Sequence, residues 1–316
     1  MIRLRLWGLK LAQLAASCLW ASLNRGARFL QDFHVLRSHK LPVRVISVGN
    51  IQAGGAGKTP VVAFLAQQAM SLGLRVCILI RGYRGAWEHA GCIIWPDSPE
   101  VGVEECGDEA ALLKHLCPQA IIGVGANRLL QFETIWQHEQ GNVDCVILDD
   151  GFQNWQIKKD LELVVLTSAR FSERLFRDWP SAVKRANLLL WTKGEIPPPS
   201  FGLPLLQVRF ALDAVPGVKV WLVAGVGDPQ SVLQLASQAG YVVVQKYFFA
   251  DHFHYEEEQV RGLLKQAAGD RCRVALTGKD WVKWKALGVL EKEVLILEPR
   301  LEFRQGQEVW SKVLWG

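Results

Sequence analysis

The sequence contains no C-x-x-C pair and no cysteine–histidine spacing typical of a metal site. Its cysteines form an odd set of seven, several of which lie in apolar, strand-like runs. These features argue against a disulfide framework and against a cysteine-rich metal centre. We therefore expect reduced thiols, buried in the core of a cytosolic protein. The seven are Cys18, Cys77, Cys92, Cys106, Cys117, Cys145 and Cys272.

Charge of either sign is not in large excess. The 36 lysines and arginines against 31 acidic residues give a formal net charge of +5, and the basic residues are spread along the chain except near the N-terminus. Because this charge is mild for a nucleic-acid-binding protein, nucleic acid is not favoured as a partner. With 50% of its 316 residues hydrophobic, the chain is expected to be globular with a sizeable core.

A long uncharged apolar run is also missing. In residues 1–30 the uncharged stretch extends only from Leu11 to Asn24, which is shorter than the roughly 20 apolar residues that span a bilayer. This pattern favours an amphipathic helix lying on an anionic membrane surface. A helix packed on the protein's own core is an equally good interpretation. The basic residues and tryptophans of the segment are Arg3, Arg5, Trp7, Lys10, Trp20, Arg25 and Arg28.

A glycine-rich loop between a predicted strand, residues 43–48, and a predicted helix is the first motif with a chemical function. Glycine permits positive φ and carries no Cβ, so successive backbone N–H groups of such a loop can point at phosphate oxygens. Lys58 would reach the β- and γ-phosphates, and the hydroxyl of Thr59 would ligate Mg²⁺. The strict pattern has glycine where Gln52 stands. We predict that ATP is bound by Gln52, Ala53, Gly54, Gly55, Ala56, Gly57, Lys58 and Thr59.

A pair of acidic residues, Asp149 and Asp150, follows the strongly hydrophobic strand predicted over residues 143–148. A carboxylate at the end of a buried strand, downstream of a phosphate loop, is the expected second part of a Mg²⁺–nucleotide site. Two adjacent buried acids repel each other unless a cation lies beside them. We predict that Thr59, Asp149 and Asp150 hold Mg²⁺ together with phosphate oxygens and water.

Four further polar groups lie at the ends of predicted strands or the starts of predicted helices. Ligands of open α/β sheets bind at the carboxyl ends of strands, which favours a binding role, although solvated turns and helix caps are the alternative interpretation. His252 lies in a loop between a strand and a helix, a position suited to chemistry or ligand contact. The groups are Arg81-Gly82-Tyr83-Arg84-Gly85, Gly107-Asp108-Glu109, Asn127-Arg128 and Asp251-His252.

Strands and helices alternate along most of the chain. This pattern predicts an α/β protein of the P-loop NTPase type, with a mostly parallel sheet flanked by helices. The proline run Pro197-Pro198-Pro199 is the best candidate for a linker, and a second, smaller α/β domain follows it. We predict an N-terminal amphipathic helix over residues 1–30, a nucleotide-binding domain over 31–200, and a domain over 201–316 that closes over the active site.

Taken together, these motifs resemble the tetraacyldisaccharide 4'-kinase family of lipid A biosynthesis, over most of the chain. The family's loop also lacks the first glycine of the strict pattern. One departure is the family's Leu-Pro-x-Gly-x-Leu-Arg-Glu segment, whose nearest counterpart is residues 171–178, with Asp178 in place of Glu. The motifs that carry the resemblance are Val48-Gly49-Asn50, Ala53-Gly54-Gly55-Ala56-Gly57-Lys58-Thr59-Pro60, Arg81-Gly82-Tyr83, Gly107-Asp108-Glu109, Asp149-Asp150-Gly151-Phe152-Gln153, Gly225-Val226-Gly227-Asp228-Pro229, Asp251-His252 and Thr277-Gly278-Lys279-Asp280.

The resemblance implies transfer of the γ-phosphate of ATP, with Mg²⁺, to the 4'-hydroxyl of an acylated glucosamine disaccharide 1-phosphate. It also implies a peripheral protein on the cytoplasmic face of the inner membrane of a Gram-negative bacterium, attached through residues 1–30. Asp108 paired with His252 is the implied base, and Lys58 is the third catalytic residue. Contacts to substrate or ATP are expected from Asn50, Arg81, Tyr83, Glu109 and Arg128.

A membrane-associated P-loop ATPase that acts as a switch or partitioning module is the alternative. The glycine loop suits that class as well. Its members often carry a lysine just before the paired glycines, where this chain has Ala53. That class also predicts dimers that depend on nucleotide, which light scattering detects.

Overall fold

The computed structural model describes residues 2–33, 37–53, 55–99, 101–169 and 175–316, without the side chains of residues 2–11, 31 and 32. The described α-helices are α1 (Ile2–Asp32), α2 (Lys58–Ser71), α3 (Trp87–Ala90), α4 (Val103–Cys106), α5 (Asp108–Leu116), α6 (Arg128–His138), α7 (Pro229–Gln238), α8 (Glu257–Gly269), α9 (Gly278–Ala286) and α10 (Gln307–Trp315). The described strands are β1 (Arg44–Gly49), β2 (Val76–Ile80), β3 (Cys92–Ile94), β4 (Ile121–Val124), β5 (Cys145–Asp149), β6 (Leu161–Thr167), β7 (Leu188–Lys193), β8 (Leu205–Ala211), β9 (Lys219–Ala224), β10 (Val242–Phe248), β11 (Arg273–Thr277), β12 (Val294–Leu297) and β13 (Arg300–Gln305).

These elements group into two units, each assembled from separate stretches of sequence. The first unit contains Met1–Arg81, Asn127–Arg209 and Glu302–Gly316, and the second contains Gly82–Ala126 and Phe210–Leu301. The sequence-based division at residue 200 groups residues 82–126 with the nucleotide-binding domain. In the structure this stretch joins the later one, because α5 packs against α9.

The first unit is built on a mostly parallel sheet, with the strand order β13-β8-β7-β6-β1-β5-β2 within the unit. β1 lies parallel to both β5 and β6, and β7 lies parallel to β6 and β8. β5 and β6 are buried along their whole length, as expected for a parallel sheet with both faces covered. The predicted α/β class is confirmed. Because β1 and β5 are parallel neighbours, the residues that follow them leave the sheet at the same edge.

The second unit contains its own four-stranded sheet, in the order β10-β9-β11-β12. Each neighbouring pair in this sheet is parallel. In the same unit β3 and β4 pair in antiparallel fashion. The alternating pattern of the second half of the sequence therefore folds as a second α/β unit, as predicted.

Helix α1 packs one side on the first unit and exposes apolar side chains on another. Ser17 and Ala21 are fully buried. The interpretation as a helix packed on the protein's own core therefore holds for one side of α1, and attachment to a membrane through the other side stays a prediction. Within the described chain, no helix combines the length and the apolar character needed to cross a membrane. The exposed apolar residues of the helix and its end are Leu19, Trp20, Leu23, Phe29, Leu30 and Phe33.

Most of the cysteines are buried free thiols, in line with the prediction. Cys18 and Cys92 are partly exposed. Because burial disfavours the thiolate, it raises the pKa of Cys117 and of Cys145 to about 12. The buried set is Cys77, Cys106, Cys117, Cys145 and Cys272.

Gly49, the last residue of β1, lies against the turn after β5. A Cβ at Gly49 would lie 2.5 Å from Cβ of Phe152, which is fully buried. We expect Gly49→Ala to lower the free energy of unfolding by about 1–3 kcal/mol, because the added methyl group overpacks this contact. Urea unfolding followed by circular dichroism measures the change.

Gly26→Ala is the matched control for this prediction. Gly26 is exposed on α1, and apart from its chain neighbours and the backbone of its own helix no atom of the described residues lies within 4 Å of its Cβ position. Alanine there is expected to be neutral or to stabilise by up to about 1 kcal/mol, because it favours helix more than glycine does. A Gly49→Ala protein as stable as the wild type would show that the turn at Phe152 moves aside without cost.

Candidate active site

The phosphate loop lies between the end of β1 and the start of α2, as predicted. Gly55 and Gly57 have φ values of 58° and 80°, in the left-handed region that glycine occupies without strain. Asn50, directly after β1, is fully buried. These two φ values are compatible with a loop whose backbone N–H groups turn inward, and Gly54 lies outside the described residues.

Lys58 points toward the ends of two neighbouring strands, β1 and β5. Its Nζ lies 3.6 Å from Oδ1 of Asp150 and 3.5 Å from Oδ1 of Asn50. Asp150 itself has a positive φ of 51°, which is uncommon for a residue with a side chain. Such backbone conformations cluster at functional sites, where the surroundings hold them in place.

Three cations keep the carboxylate of Asp150 ionised. Burial by itself raises the pKa of a carboxyl group, but Lys58, Arg177 and Arg128 outweigh it and lower the pKa of Asp150 to about 2. The guanidinium group of Arg177 donates a hydrogen bond to Oδ2 of Asp150. Oδ1 accepts no hydrogen bond from the described residues. An ionised oxygen of this kind, beside a phosphate loop, suits a Mg²⁺ ligand.

Asp149 and Thr59 are the other oxygen donors predicted for Mg²⁺, and they are 2% and 9% exposed. Arg128, at the start of α6, donates a hydrogen bond of 3.0 Å to the main-chain oxygen of Asp149 and so fixes the turn. No group of three His, Cys, Asp or Glu side chains among the described residues is arranged to hold a metal ion. Mg²⁺ commonly binds one or two carboxylates together with phosphate oxygens and water, and this donor set fits that mode.

Gln52 has a structural role that glycine could not fill. Its side-chain oxygen accepts hydrogen bonds from the backbone N–H of Thr167 at 3.2 Å and from the Thr167 hydroxyl at 2.9 Å. Its Nε2 donates to the main-chain oxygen of Ala169 at 3.1 Å. These bonds tie the start of the phosphate loop to the end of β6, which accounts for the departure from the strict glycine pattern.

Segment 175–178 runs beside the start of the phosphate loop. The backbone N–H of Ala53 donates to the oxygen of Leu175, and the N–H of Arg177 donates to the oxygen of Ile51, both at 2.8 Å. Asp178 is 1% exposed and pairs with Arg28. Sequence reasoning did not assign Arg177, because its neighbours in residues 170–185 carry many charges without a clear period.

In the second unit, Asp108 and His252 form a direct pair. Asp108 is the first residue of α5 and is 4% exposed, and its Oδ2 lies 2.9 Å from Nδ1 of His252. His252 lies between β10 and α8 with a positive φ of 62°. Sequence reasoning placed these residues in different domains, whereas they belong to one unit. Since Nδ1 faces Asp108, Nε2 is the ring nitrogen that faces other groups, and it lies 3.7 Å from Oδ2 of Asp251.

Two lysines from α9 flank the Asp108 carboxylate. Nζ of Lys283 lies 3.3 Å from Oδ2 of Asp108, and Nζ of Lys279 lies 3.8 Å from it. Burial raises the pKa of Asp108, but the hydrogen bond with His252 and the two ammonium groups outweigh it and hold this pKa well below its ordinary value. Lys279 also lies 3.3 Å from Oε1 of Glu109. Sequence reasoning missed Lys283, although its i, i+4 spacing from Lys279 indicated a shared helix face.

Asp280 connects the loops around this pair. It is fully buried, and it accepts hydrogen bonds from the hydroxyls of Tyr255 at 2.8 Å and Thr277 at 2.6 Å and from the N–H of Gly225 at 3.1 Å. Burial raises the pKa of Asp280 despite these donors. Because Tyr255 follows His252 by three residues, this network holds the loop that carries the histidine.

Tyr83 and Arg81 follow β2, and both are exposed. The ring of Tyr83 lies edge-on to that of His252, with 5.8 Å between centroids. The structure thus forms two clusters of predicted site residues, one in each unit. The first cluster contains Asn50, Lys58, Thr59, Arg128, Asp149 and Asp150, and the second contains Tyr83, Asp108, Glu109 and His252.

Comparison with known proteins identifies close relatives. Residues 9–315 match the family model described as tetraacyldisaccharide-1-P 4'-kinase. The tetraacyldisaccharide 4'-kinase of Pelobacter propionicus is 30% identical over 294 residues, covering 84% of this chain and 81% of that protein. That of Geobacter sulfurreducens is 32% identical over 267 residues, covering 77% and 75%. A crystal structure of LpxK from Aquifex aeolicus in complex with ATP matches with a TM-score of 0.78 and 26% identity, covering 97% of this chain and 98% of that chain.

Proposed function

Because the chain belongs to the tetraacyldisaccharide-1-P 4'-kinase family, we propose that it transfers the γ-phosphate of ATP to the 4'-hydroxyl of an acylated glucosamine disaccharide 1-phosphate. The product is the 4'-phosphorylated, lipid IVA-type disaccharide. The observation that supports this proposal is the presence of two clusters of polar residues, one around Lys58, Asp149 and Asp150 and one containing the Asp108–His252 pair. Phosphoryl transfer depends mainly on positioning and on neutralising charge, which these residues provide.

The cluster around Lys58 would bind the nucleotide. The loop amides and Lys58 would hold the phosphates, and Thr59, Asp149 and Asp150 would hold Mg²⁺, which neutralises the charge that develops on the phosphate oxygens. The low pKa of Asp150 supports this role, since a carboxylate must be ionised to ligate a metal. Arg128 would act by fixing the turn that presents Asp149.

The pair of Asp108 and His252 would remove the proton of the attacking hydroxyl. Asp108 stays ionised and accepts a hydrogen bond from Nδ1 of His252, so Nε2 is left to receive the proton. The lysines beside Asp108 disfavour its own protonation, which supports a role in orienting the imidazole. Tyr83, Glu109, Asn50 and Arg81 are proposed to contact substrate or ATP.

We propose further that the protein is peripheral on the cytoplasmic face of the bacterial inner membrane, with the exposed apolar side of α1 in the headgroup region. The exposed Leu19, Leu23 and Leu30 belong to a helix rich in basic residues, a combination that favours anionic lipid surfaces. Leu19→Glu with Leu23→Glu is expected to lower binding to vesicles of phosphatidylglycerol and phosphatidylethanolamine about tenfold or more, because charge is costly at that depth. Sedimentation with the vesicles measures this loss, and unchanged binding would remove the attachment role of α1.

The reaction is tested with ATP labelled at the γ-phosphate and tetraacyldisaccharide 1-phosphate in detergent micelles. We expect label in the lipid product. The matched control acceptor is the same lipid already phosphorylated at the 4'-position, which should take up no label. Hydrolysis of ATP without labelled lipid, accompanied by nucleotide-dependent dimers, would instead favour a switch ATPase.

A further inference from the structure

The packed side of α1 contacts segment 175–178 at three points. Oγ of Ser17 accepts a hydrogen bond from the N–H of Phe176 at 3.0 Å. Nδ2 of Asn24 donates to the main-chain oxygen of Arg177 at 2.7 Å. Arg28 forms an ion pair with Asp178. Residues 17, 24 and 28 share one face of the helix, so α1 holds this segment along three turns.

The other side of the same segment holds the nucleotide cluster. Its backbone pairs with residues 51–53 at the start of the phosphate loop, through the Ala53 and Arg177 N–H groups. The guanidinium group of Arg177 contacts Asp150, the carboxylate that also faces Lys58. Asp178 connects the segment to the cluster a third time, through Gln153. Nε2 of Gln153 donates hydrogen bonds to Oδ2 of Asp178 and to the main-chain oxygen of Asn50, each at 2.9 Å.

Arg28 is the charged residue that α1 contributes to this series of contacts. Its guanidinium group lies 5.0 Å from the ring centroid of Trp155 and 5.5 Å from that of Phe152, so aromatic faces fix its position. Asp178 is 1% exposed, and an ionised carboxylate at that depth needs a cation. Without Arg28, the buried Asp178 carboxylate lacks its cation. We expect it to turn toward another cation of the unit, such as the neighbouring Arg177.

We propose that Arg28 is a positioning residue for the Mg²⁺–nucleotide site. Through Asp178 and segment 175–178 it fixes Arg177, the Asp150 carboxylate and the start of the phosphate loop. Helix α1 is then part of the nucleotide site as well as a surface for lipid. This inference rests on the proposed function, because it takes the cluster around Lys58 as the site of Mg²⁺-bound ATP.

The test is the affinity of the full-length protein for Mg²⁺ and a fluorescent ATP analogue, measured in detergent without any lipid acceptor. Arg28→Ala is expected to weaken binding of the Mg²⁺–nucleotide about 10- to 100-fold, as loss of a residue that supports metal ligands does. Arg28→Lys should recover only part of this loss, because an ammonium group keeps the charge but cannot reproduce the planar stacking. The Mg²⁺ concentration that gives half-maximal binding is expected to rise in parallel.

Arg25→Ala is the matched control, since Arg25 is an exposed arginine on the same helix. It should leave nucleotide affinity within about twofold of the wild type. Asn24→Ala removes the bond to the Arg177 main chain without leaving a buried charge, and it should weaken binding about two- to fivefold even if Arg28→Ala does not fold. Arg28→Ala tests the role of the charge, and Asn24→Ala tests the role of the backbone contact with segment 175–178.

The outcomes separate this inference from the proposed function. Wild-type protein that binds no Mg²⁺–nucleotide would remove both. Wild-type protein that binds, with Arg28→Ala and Asn24→Ala binding equally well, would overturn the inference alone. Loss of vesicle binding in Arg28→Ala with unchanged nucleotide affinity would make Arg28 a membrane residue and also overturn it.

Discussion

Alanine in place of His252 is expected to lower kcat about 10²-fold or more while nucleotide affinity stays within about twofold of the wild type. The imidazole is the group proposed to take the proton of the acceptor hydroxyl, and ATP binding does not need that step. Asp108→Ala should have an effect of similar size, because Asp108 Oδ2 holds Nδ1 of His252 at 2.9 Å. The measurement is initial-rate transfer to the lipid acceptor at saturating ATP.

Combining the two substitutions tests whether they act as a unit. The double variant should be little slower than either single variant. Both residues are proposed to serve the same proton transfer, so removing either one already abolishes their joint contribution. His254→Ala is the matched control, since His254 lies in the same loop with a side chain that is 78% exposed. Near-normal turnover in both His252→Ala and Asp108→Ala would refute the base assignment.

Replacement of Lys58 by alanine is the second large expected effect, a loss of about 10²- to 10³-fold in kcat/KM, as for other preorganised groups that stabilise transition-state charge. Lys58 is 15% exposed and lies 3.6 Å from Asp150, so its charge acts at short range in a largely buried cluster. The variant loses the cation proposed to contact the phosphates, and it also loses one of the three cations that lower the pKa of Asp150. Transfer of labelled phosphate and binding of Mg²⁺–nucleotide are both measured.

Lys265→Ala controls for the loss of a lysine as such, because Lys265 is exposed on α8. It should transfer phosphate at the wild-type rate. Full transfer by Lys58→Ala would show that the loop amides and Mg²⁺ suffice, and it would remove Lys58 from the catalytic residues. Weaker nucleotide binding with unchanged kcat would restrict Lys58 to binding.

The residues of the cluster around Lys58 were predictable because the sequence patterns that indicate them are local. A buried strand, glycines with positive φ and a helix that begins at Lys58 follow one another within a few residues, and steric limits on the backbone make that order informative. Asp149 and Asp150 were predicted on the same basis, as acids at the end of a buried strand. The roles of these residues stay predictions until the variants are measured.

The pairing of Asp108 with His252 could not be predicted from local sequence pattern. Asp108 and His252 are separated by 144 residues, and the family resemblance, rather than their spacing, indicated that they pair. The role of Gln52 also could not be predicted from the sequence, because its side chain is hydrogen-bonded to Thr167, 115 residues further along the chain. Hydrogen bonds of this range depend on how strands are ordered in the sheet, which one sequence does not reveal.

The sequence by itself determined the α/β class, the phosphate loop and the carboxylates at the strand ends, because strand burial and backbone sterics act over a few residues. Tertiary structure alone decided that residues 82–126 join residues 210–301, that Lys283 flanks Asp108, and that Arg28 of α1 reaches Asp178. Burial of charge explains the difference. A carboxylate that is 4% or 1% exposed requires a cation, but any lysine or arginine that packing brings near can supply it.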